Sequence, residues 1–426
     1  MTRSPSVVGI MMLKDEWPLC AVSISHALEA CVDVLWVVDH DSGGITATGL
    51  DELLSLWGER LKVLRLNGTP YWQEAVTASA VEACGAEPDD WIFMIDADEF
   101  PLTREGLSVK EQLRGIGGDV DVVRYEVENW ISTQDFDANV LDDYRGLRHR
   151  ACPNVFVPDG EAVIAEEIEL GHINFFDVPF GSKILVRRRA AKWIGSGAHR
   201  LKDGGEPAEV SLAREDLRSA HLPFLCADRL SLKIEQGRTL IERGFPENHG
   251  WQSQMLYRMA GTGKRESFWV RHTTGPSDAM NGSPPLSTVD DALAIALDPT
   301  IGTLHGFFGP RLDAAARTTA PAPPVESTIA FSDAVRLVRR LQIAAEQLAH
   351  ENERALSALS ASRHQLEASE SSIDSLAEEG DRLSRQVAHL EMLIDDLRHS
   401  TSWRMTSPMR AMSRWLNGAR SRSRPS

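Results

Sequence analysis

Apolar runs at 7–13, 34–38, 61–66 and 91–95 have the length and composition of buried strands. Between them, 17–30, 50–57 and 72–84 carry apolar residues at helical spacing, with Pro18 early in the first turn, where proline is tolerated. Strands alternating with helices predict a parallel sheet covered on both faces. Further strands are expected at 120–125 and 216–220, the latter running into His221. Ligands of such sheets bind beyond the carboxyl ends of the strands. Those ends carry Lys14-Asp15-Glu16, Asp39-His40-Asp41-Ser42, Arg65 with Asn67, and Asp96-Ala97-Asp98, so polar groups converge on one edge. No GxGxxG follows the first strand, which disfavours a dinucleotide site.

The stretch W-I-F-M-I-D-A-D-E-F at 91–100 is the most informative in the chain. Carboxylates resist burial unless something cationic compensates them. Two aspartates one residue apart, at the mouth of a core strand, form a candidate seat for a hard divalent ion, Mg²⁺ or Mn²⁺. An ion held there can bind a diphosphate. The bland alternative is a pair of acids that simply solvates a strand end.

Hydrophobic residues make up 42% of the 426 residues, enough for a large core, and a net charge of −17 argues against nucleic-acid binding. No apolar run of membrane-spanning length occurs. The N-terminal segment turns acidic too soon for an export signal. Cys20, Cys31, Cys84, Cys152 and Cys226 are scattered and odd in number, as expected of reduced thiols in a cytoplasmic chain. The Asn-x-Ser/Thr matches at 67–69 and 281–283 are read as accidental on the same ground.

With Met12-Leu13-Lys14-Asp15-Glu16-Trp17, Val38-Asp39-His40-Asp41-Ser42 and Asp96-Ala97-Asp98-Glu99-Phe100 in view, residues 7–240 resemble a family 2 glycosyltransferase of the bacterial DADEF branch. Gly197-Ala198-His199-Arg200 and His221-Leu222-Pro223-Phe224 are weaker echoes. Asp15 stands where that family usually has Asn, and Ser42-Gly43-Gly44 replaces Ser-x-Asp-Gly. The resemblance implies a GT-A, Rossmann-like mixed sheet flanked by helices, and a metal-dependent, inverting transfer from a nucleotide-sugar to a glycan or lipid-linked acceptor in surface-polysaccharide assembly. It implies that Asp15, Glu16, Asp39, Asp41, Gln73 and Asp96 line the nucleotide. Asp98 then holds the Mn²⁺ or Mg²⁺, with His221 or, second, His199 completing the site, and Lys183, Arg187 or Arg200 neutralises phosphate. Asp96 and Asp98 are also the expected catalytic acids. The base is sought among Glu126, Glu128, Asp135 and Asp137, with Glu128 preferred. Trp130 and Phe136 are either core or a sugar platform.

The domain boundaries expected from the pattern are 1–225 for the transferase domain, 226–310 for a helical extension, 311–330 for a Pro/Ala-rich linker, 331–398 for a coiled coil and 399–426 for a basic, aromatic tail. Inner positions of the coil repeat with no stutter from Val338 to Leu397, with Asn352 among them, and predict a parallel homodimer. Trp403 and Trp415 among arginines suit peripheral contact with anionic lipid at the inner face of the membrane. Two competing readings are a catalytically inactive scaffold that assembles partners through the coil, and a nucleotidyltransferase.

Overall fold

The structure is a computed structural model that describes residues 3–66, 73–104, 107–153, 160–202, 207–242, 244, 250–273, 287–313 and 325–400. In chain order it forms β1 (Val7–Leu13), α1 (Leu19–His26), β2 (Val34–Asp39), α2 (Gly44–Trp57), β3 (Leu61–Arg65), α3 (Gln73–Ala83), β4 (Trp91–Met94) and β5 (Glu99–Thr103). Then follow α4 (Val109–Arg114), β6 (Val122–Ile131), β7 (His149–Ala151), α5 (Glu161–Leu170), β8 (Lys183–Arg187), β9 (Glu209–Ser211) and β10 (Leu217–His221). The remainder is α6 (Ala227–Glu242), α7 (Trp251–Gly261), α8 (Arg265–Arg271), β11 (Ser287–Val289), α9 (Ala292–Phe308) and α10 (Val325–His399).

The expected α/β architecture is present, a mixed sheet flanked by helices and followed by a long C-terminal helix. Strands β3, β2, β1 and β4 run parallel, and β8, β6, β7 and β11 extend the sheet antiparallel from β4. Because β1 is buried along its whole length, it reads as an unbroken apolar run rather than an alternating one. One core holds α1 and α9 against the sheet, including Leu19, Leu28, Phe93, Tyr125 and Leu297. A second lies on the opposite face around Ile10, Val76 and Ile184, and takes in Val335 from the start of α10. A third joins α5, α7 and α8 to Phe175 and Phe224.

Three differences from the sequence expectation have physical causes. The helix expected at 17–30 starts after Pro18 and ends in a widened π turn, Ala27–Cys31. Strand β5 contains Pro101, which the pattern disfavours. It is tolerated because β5 pairs with β10 along one side, and the Pro101 carbonyl meets His26 Nε2 at 2.8 Å. Strand β8 begins and ends on charged residues, Lys183 and Arg187, yet both are buried: Lys183 lies between carboxylates and Arg187 is stacked 4.0 Å over the Trp91 ring.

The chain forms two compact units, Met1–Gln342 and Ile343–Ser426. Helix α9 belongs to the first core, so 292–308 is integral to the first unit. In the second unit, α10 exposes Leu359, Leu366, Ile373, Leu376, Leu383, Val387, Leu390 and Ile394, all inner positions of the expected register. No described helix is long and apolar enough to cross a membrane. The segment 314–324 within the expected linker, both glycosylation-like matches and the tail beyond residue 400 lie outside the described residues.

Candidate active site at the carboxyl edge of the parallel strands

The loops after β1 and β2 are laced together. Asp15 takes a left-handed backbone, φ 54°, and Asp41 another, φ 61°. Among non-glycine residues, Asn and Asp adopt this conformation most readily. The Asp15 amide donates to Ser42 Oγ at 2.9 Å, and its Oδ1 accepts from the Gly43 amide at 3.0 Å. Asn can fill the same backbone and acceptor roles, so Asp15 in place of Asn leaves this loop geometry attainable. Asp39 is buried and accepts from the Ser42 amide at 3.0 Å. Burial pushes its carboxyl up, partly offset by Ser42. Asp39 thus shapes the loop, while Asp41 faces solvent.

At the end of β4, a turn closes with the Glu99 amide donating to the Asp96 carbonyl at 3.0 Å. Three neighbouring strands then place Glu99, His221 and Asn129 in one row, β5 against β10 against β6. Lys183, 1% exposed, lies 2.6 Å from both Asp96 and Glu99. Its ammonium fixes Asp96 from beneath and leaves that carboxylate 38% exposed toward solvent. Lys183 and Arg187, expected to meet phosphate, are therefore engaged elsewhere. Burial and the Asp96 charge push Glu99 up to about 7, although Lys183 pulls the other way.

Asp98 and His221 lie side by side. His221 Nδ1 is 2.7 Å from Asn129 Oδ1. With the Asn129 amide oxygen accepting from Nδ1–H, Nε2 is left facing Asp98 Oδ2, 3.6 Å away, where loss of its proton would offer a lone pair to an ion shared with Asp98. A carboxylate and an imidazole lone pair at that separation fit one divalent ion, since each metal–ligand bond spans roughly 2 Å. Among the described residues no third His, Cys, Asp or Glu joins them. Mg²⁺-type sites commonly use one or two protein ligands plus substrate phosphate and water. The donor set therefore fits the expected cofactor.

Two cations also reach Asp98, and the sequence pattern did not reveal them. From α6, Arg229 Nη2 lies 2.8 Å and Lys233 Nζ 3.2 Å from Asp98 Oδ2, and Arg229 Nη1 pairs with Glu16. Burial raises the Asp98 carboxyl, but Lys233 and His221 outweigh it and hold the group well below the usual carboxylate range. Burial pushes the Lys233 ammonium down, and Asp98 pulls it back only in part. Nothing in the alternation D-R-L-S-L-K separates these positions from an ordinary amphipathic surface.

Other expected residues fall elsewhere. Glu128 is held by Arg214 at 2.5 and 3.1 Å and by Arg150 and Arg218 at 3.3 Å each. With both of its oxygens engaged by guanidinium groups, Glu128 is not free to meet an acceptor hydroxyl. Trp130 is fully buried in the first core, and so is most of Phe136; neither is a sugar platform. His199 meets the Ser182 carbonyl at 2.8 Å through Nδ1, across Phe180 from His221. Gln73 opens α3, half-buried.

No protein-family model and no curated protein matches the chain. Among solved structures, GalNAc-T7 with UDP, GalNAc and Mn²⁺ is similar over 52% of this chain and 44% of its own, at 12% identity and TM-score 0.31. S. aureus TarS 1–349 is similar over 80% of this chain and 92% of its own, at 12% identity and TM-score 0.29. A second S. aureus TarS structure matches over 63% and 48%, at 12% identity and TM-score 0.28. The chain spans less than half the length of GalNAc-T7 and of this second TarS.

Proposed function

We propose that this protein is an inverting, metal-dependent glycosyltransferase of family 2 type. It moves a sugar from a nucleotide-diphosphate donor to a glycan or lipid-linked acceptor in bacterial surface-polysaccharide assembly. The observation that carries the reading is Asp98 facing Nε2 of His221, whose ring is oriented by Asn129, at the carboxyl end of β4. That edge of a parallel sheet is where ligands bind. Asp98 and His221 would hold Mn²⁺ or Mg²⁺, which supplies Lewis-acid stabilisation to a leaving diphosphate. Asp15, Glu16, Asp39, Asp41, Gln73 and Asp96 are assigned to the nucleotide. Asp39 acts through the loop it braces, and Asp96 through a carboxylate held in place by Lys183. Asp96 and Asp98 are the acids on which transfer depends. Direct displacement at the sugar needs a carboxylate to take the acceptor's proton, and Glu128 is not assigned that role.

The apolar stripe of α10 supports self-association as a parallel coiled coil. In this reading the enzyme is a cytoplasmic dimer that meets the inner membrane face through its tail.

The test is calorimetry with UDP, GDP, CDP and TDP, with and without Mn²⁺, followed by turnover of the matching nucleotide-sugars. One nucleotide should bind more tightly with Mn²⁺, and Asp98→Ala should abolish both that increment and turnover. Failure of every nucleotide under both conditions removes the transferase reading and leaves the scaffold.

A further inference from the structure

Arg229 and Lys233 lie one turn apart near the start of α6, Arg229 buried and Lys233 mostly so. Their partners come from two different strand ends: Glu16 beyond β1 and Asp98 beyond β4. The two carboxylates and two cations balance formally, yet the pairing is incomplete. Arg229 Nε is buried without a hydrogen-bond partner, although a guanidinium offers donors in a fixed fork that suits phosphate. Both cations converge on the single oxygen Asp98 Oδ2, at 2.8 and 3.2 Å, so an anion carrying more charge than one carboxylate is a better partner than Asp98. The amino-terminal end of α6 adds its own partial positive charge on the same side. Helix position is fixed at Gly237, where a Cβ would meet the Ser253 carbonyl of α7 at 1.8 Å. The cations are therefore held by a rigid helix pair rather than by a loop.

We propose that Arg229 and Lys233 form a diphosphate clamp that rests on Asp98 and Glu16 until the donor arrives. It then transfers to the pyrophosphate, freeing Asp98 to share an ion with His221. This deepens the glycosyltransferase reading and rests on it for the identity of the ligand. The clamp makes anion binding and metal binding mutually supportive, because each releases Asp98 or the cations for the other.

The probe is inorganic pyrophosphate, titrated calorimetrically into the full-length protein in EDTA and then in Mn²⁺. Wild type should bind in EDTA. Lys233→Met should weaken that binding about tenfold, as expected for one charge-assisted contact, and Lys233→Arg should largely restore it. Asp98→Asn should tighten pyrophosphate binding in EDTA by several-fold, because it removes the competing carboxylate, and should lose the Mn²⁺ increment. A merely structural role for Asp98 predicts weaker binding instead. Should Lys233→Met fail to fold, the Asp98→Asn titration decides alone: tightening supports the clamp and weakening overturns it. Absence of binding in EDTA, or indifference to Lys233→Met, also overturns it. Nucleotide-sugar turnover that ignores Lys233→Met sinks the clamp and leaves the transferase. Pyrophosphate binding through Lys233 with no nucleotide bound sinks the transferase and leaves the clamp.

Discussion

Replacing Glu99 by Gln tests how the acidic turn is held. Glu99 is 1% exposed and shares Lys183 with Asp96, so one ammonium serves two carboxylates. Burial first, then the Asp96 charge, raise Glu99 from an ordinary 4.5 to about 7 against the pull of Lys183. Between those values the native state retains a proton that the unfolded chain has released. The resulting stability is complete below the unfolded value and is lost as pH rises through about 7. At 1.36 kcal/mol per unit, this one group should cost the wild type up to about 3 kcal/mol between pH 4.5 and pH 8. The Glu99→Gln variant has no such titration and keeps an amide oxygen for Lys183. Urea unfolding of both proteins at intervals from about pH 5 to about pH 8 gives the difference, in which His26, His272 and every other titrating group cancel to first order. That difference should fall by about 3 kcal/mol with rising pH and then level off. A flat difference, or one that grows with pH, would mean that Lys183 compensates both carboxylates fully, and the shared-cation argument would fail.

Gly237→Ala should destabilise the protein by about 1–3 kcal/mol, because overpacking against the Ser253 carbonyl outweighs the gain of about 1 kcal/mol in helix propensity; a raised melting temperature would contradict the α6–α7 crossing. His272 accepts from the Phe175 amide at 3.0 Å, donates to the Phe268 carbonyl at 2.7 Å, and burial pushes it down to about 3 from 6.5. Its contribution is present above 6.5 and lost as pH falls through about 3, so His272→Phe should reduce the acid-side loss of stability by up to about 5 kcal/mol; an unchanged acid limb in urea titrations would refute this. On α10, Ile373→Asp with Leu376→Asp should weaken self-association at least a hundredfold by sedimentation, since each buried aliphatic contributes about 1.5–3 kcal/mol; an unchanged sedimentation coefficient would exclude the coil as the contact.

The parallel half of the sheet was legible because β1, β2 and β4 are apolar runs of strand length, and the acids at their ends mark the edge where chemistry gathers. Asp98 and His221 were both nameable, since Asp98 lies in the turn just after β4 and His221 ends β10. What joins them was not. Asn129, which orients His221, is one polar residue inside β6, and only the parallel register of β10 against β6 puts the two side by side. Lys183 reads as a partner for phosphate until β8 is threaded antiparallel between β4 and β6, which sets it against Asp96 and Glu99. Arg229 and Lys233 lie more than 130 positions from Asp98, and no local periodicity encodes that pairing. Acids could be found at strand ends because their position is set by sheet topology, which is periodic. Their counter-charges come from later elements, where position is set by packing. Glu128 shows the same division: the expected strand stops at 125, whereas β6 runs on to Ile131 and carries Glu128 inside it, and Arg150, Arg214 and Arg218 arrive from β7 and from the β10 region, beyond the reach of any local reading. In this protein a carboxylate's chemistry is decided by which cations it meets, so roles for acids read from sequence become reliable only after the positive residues around them have been placed.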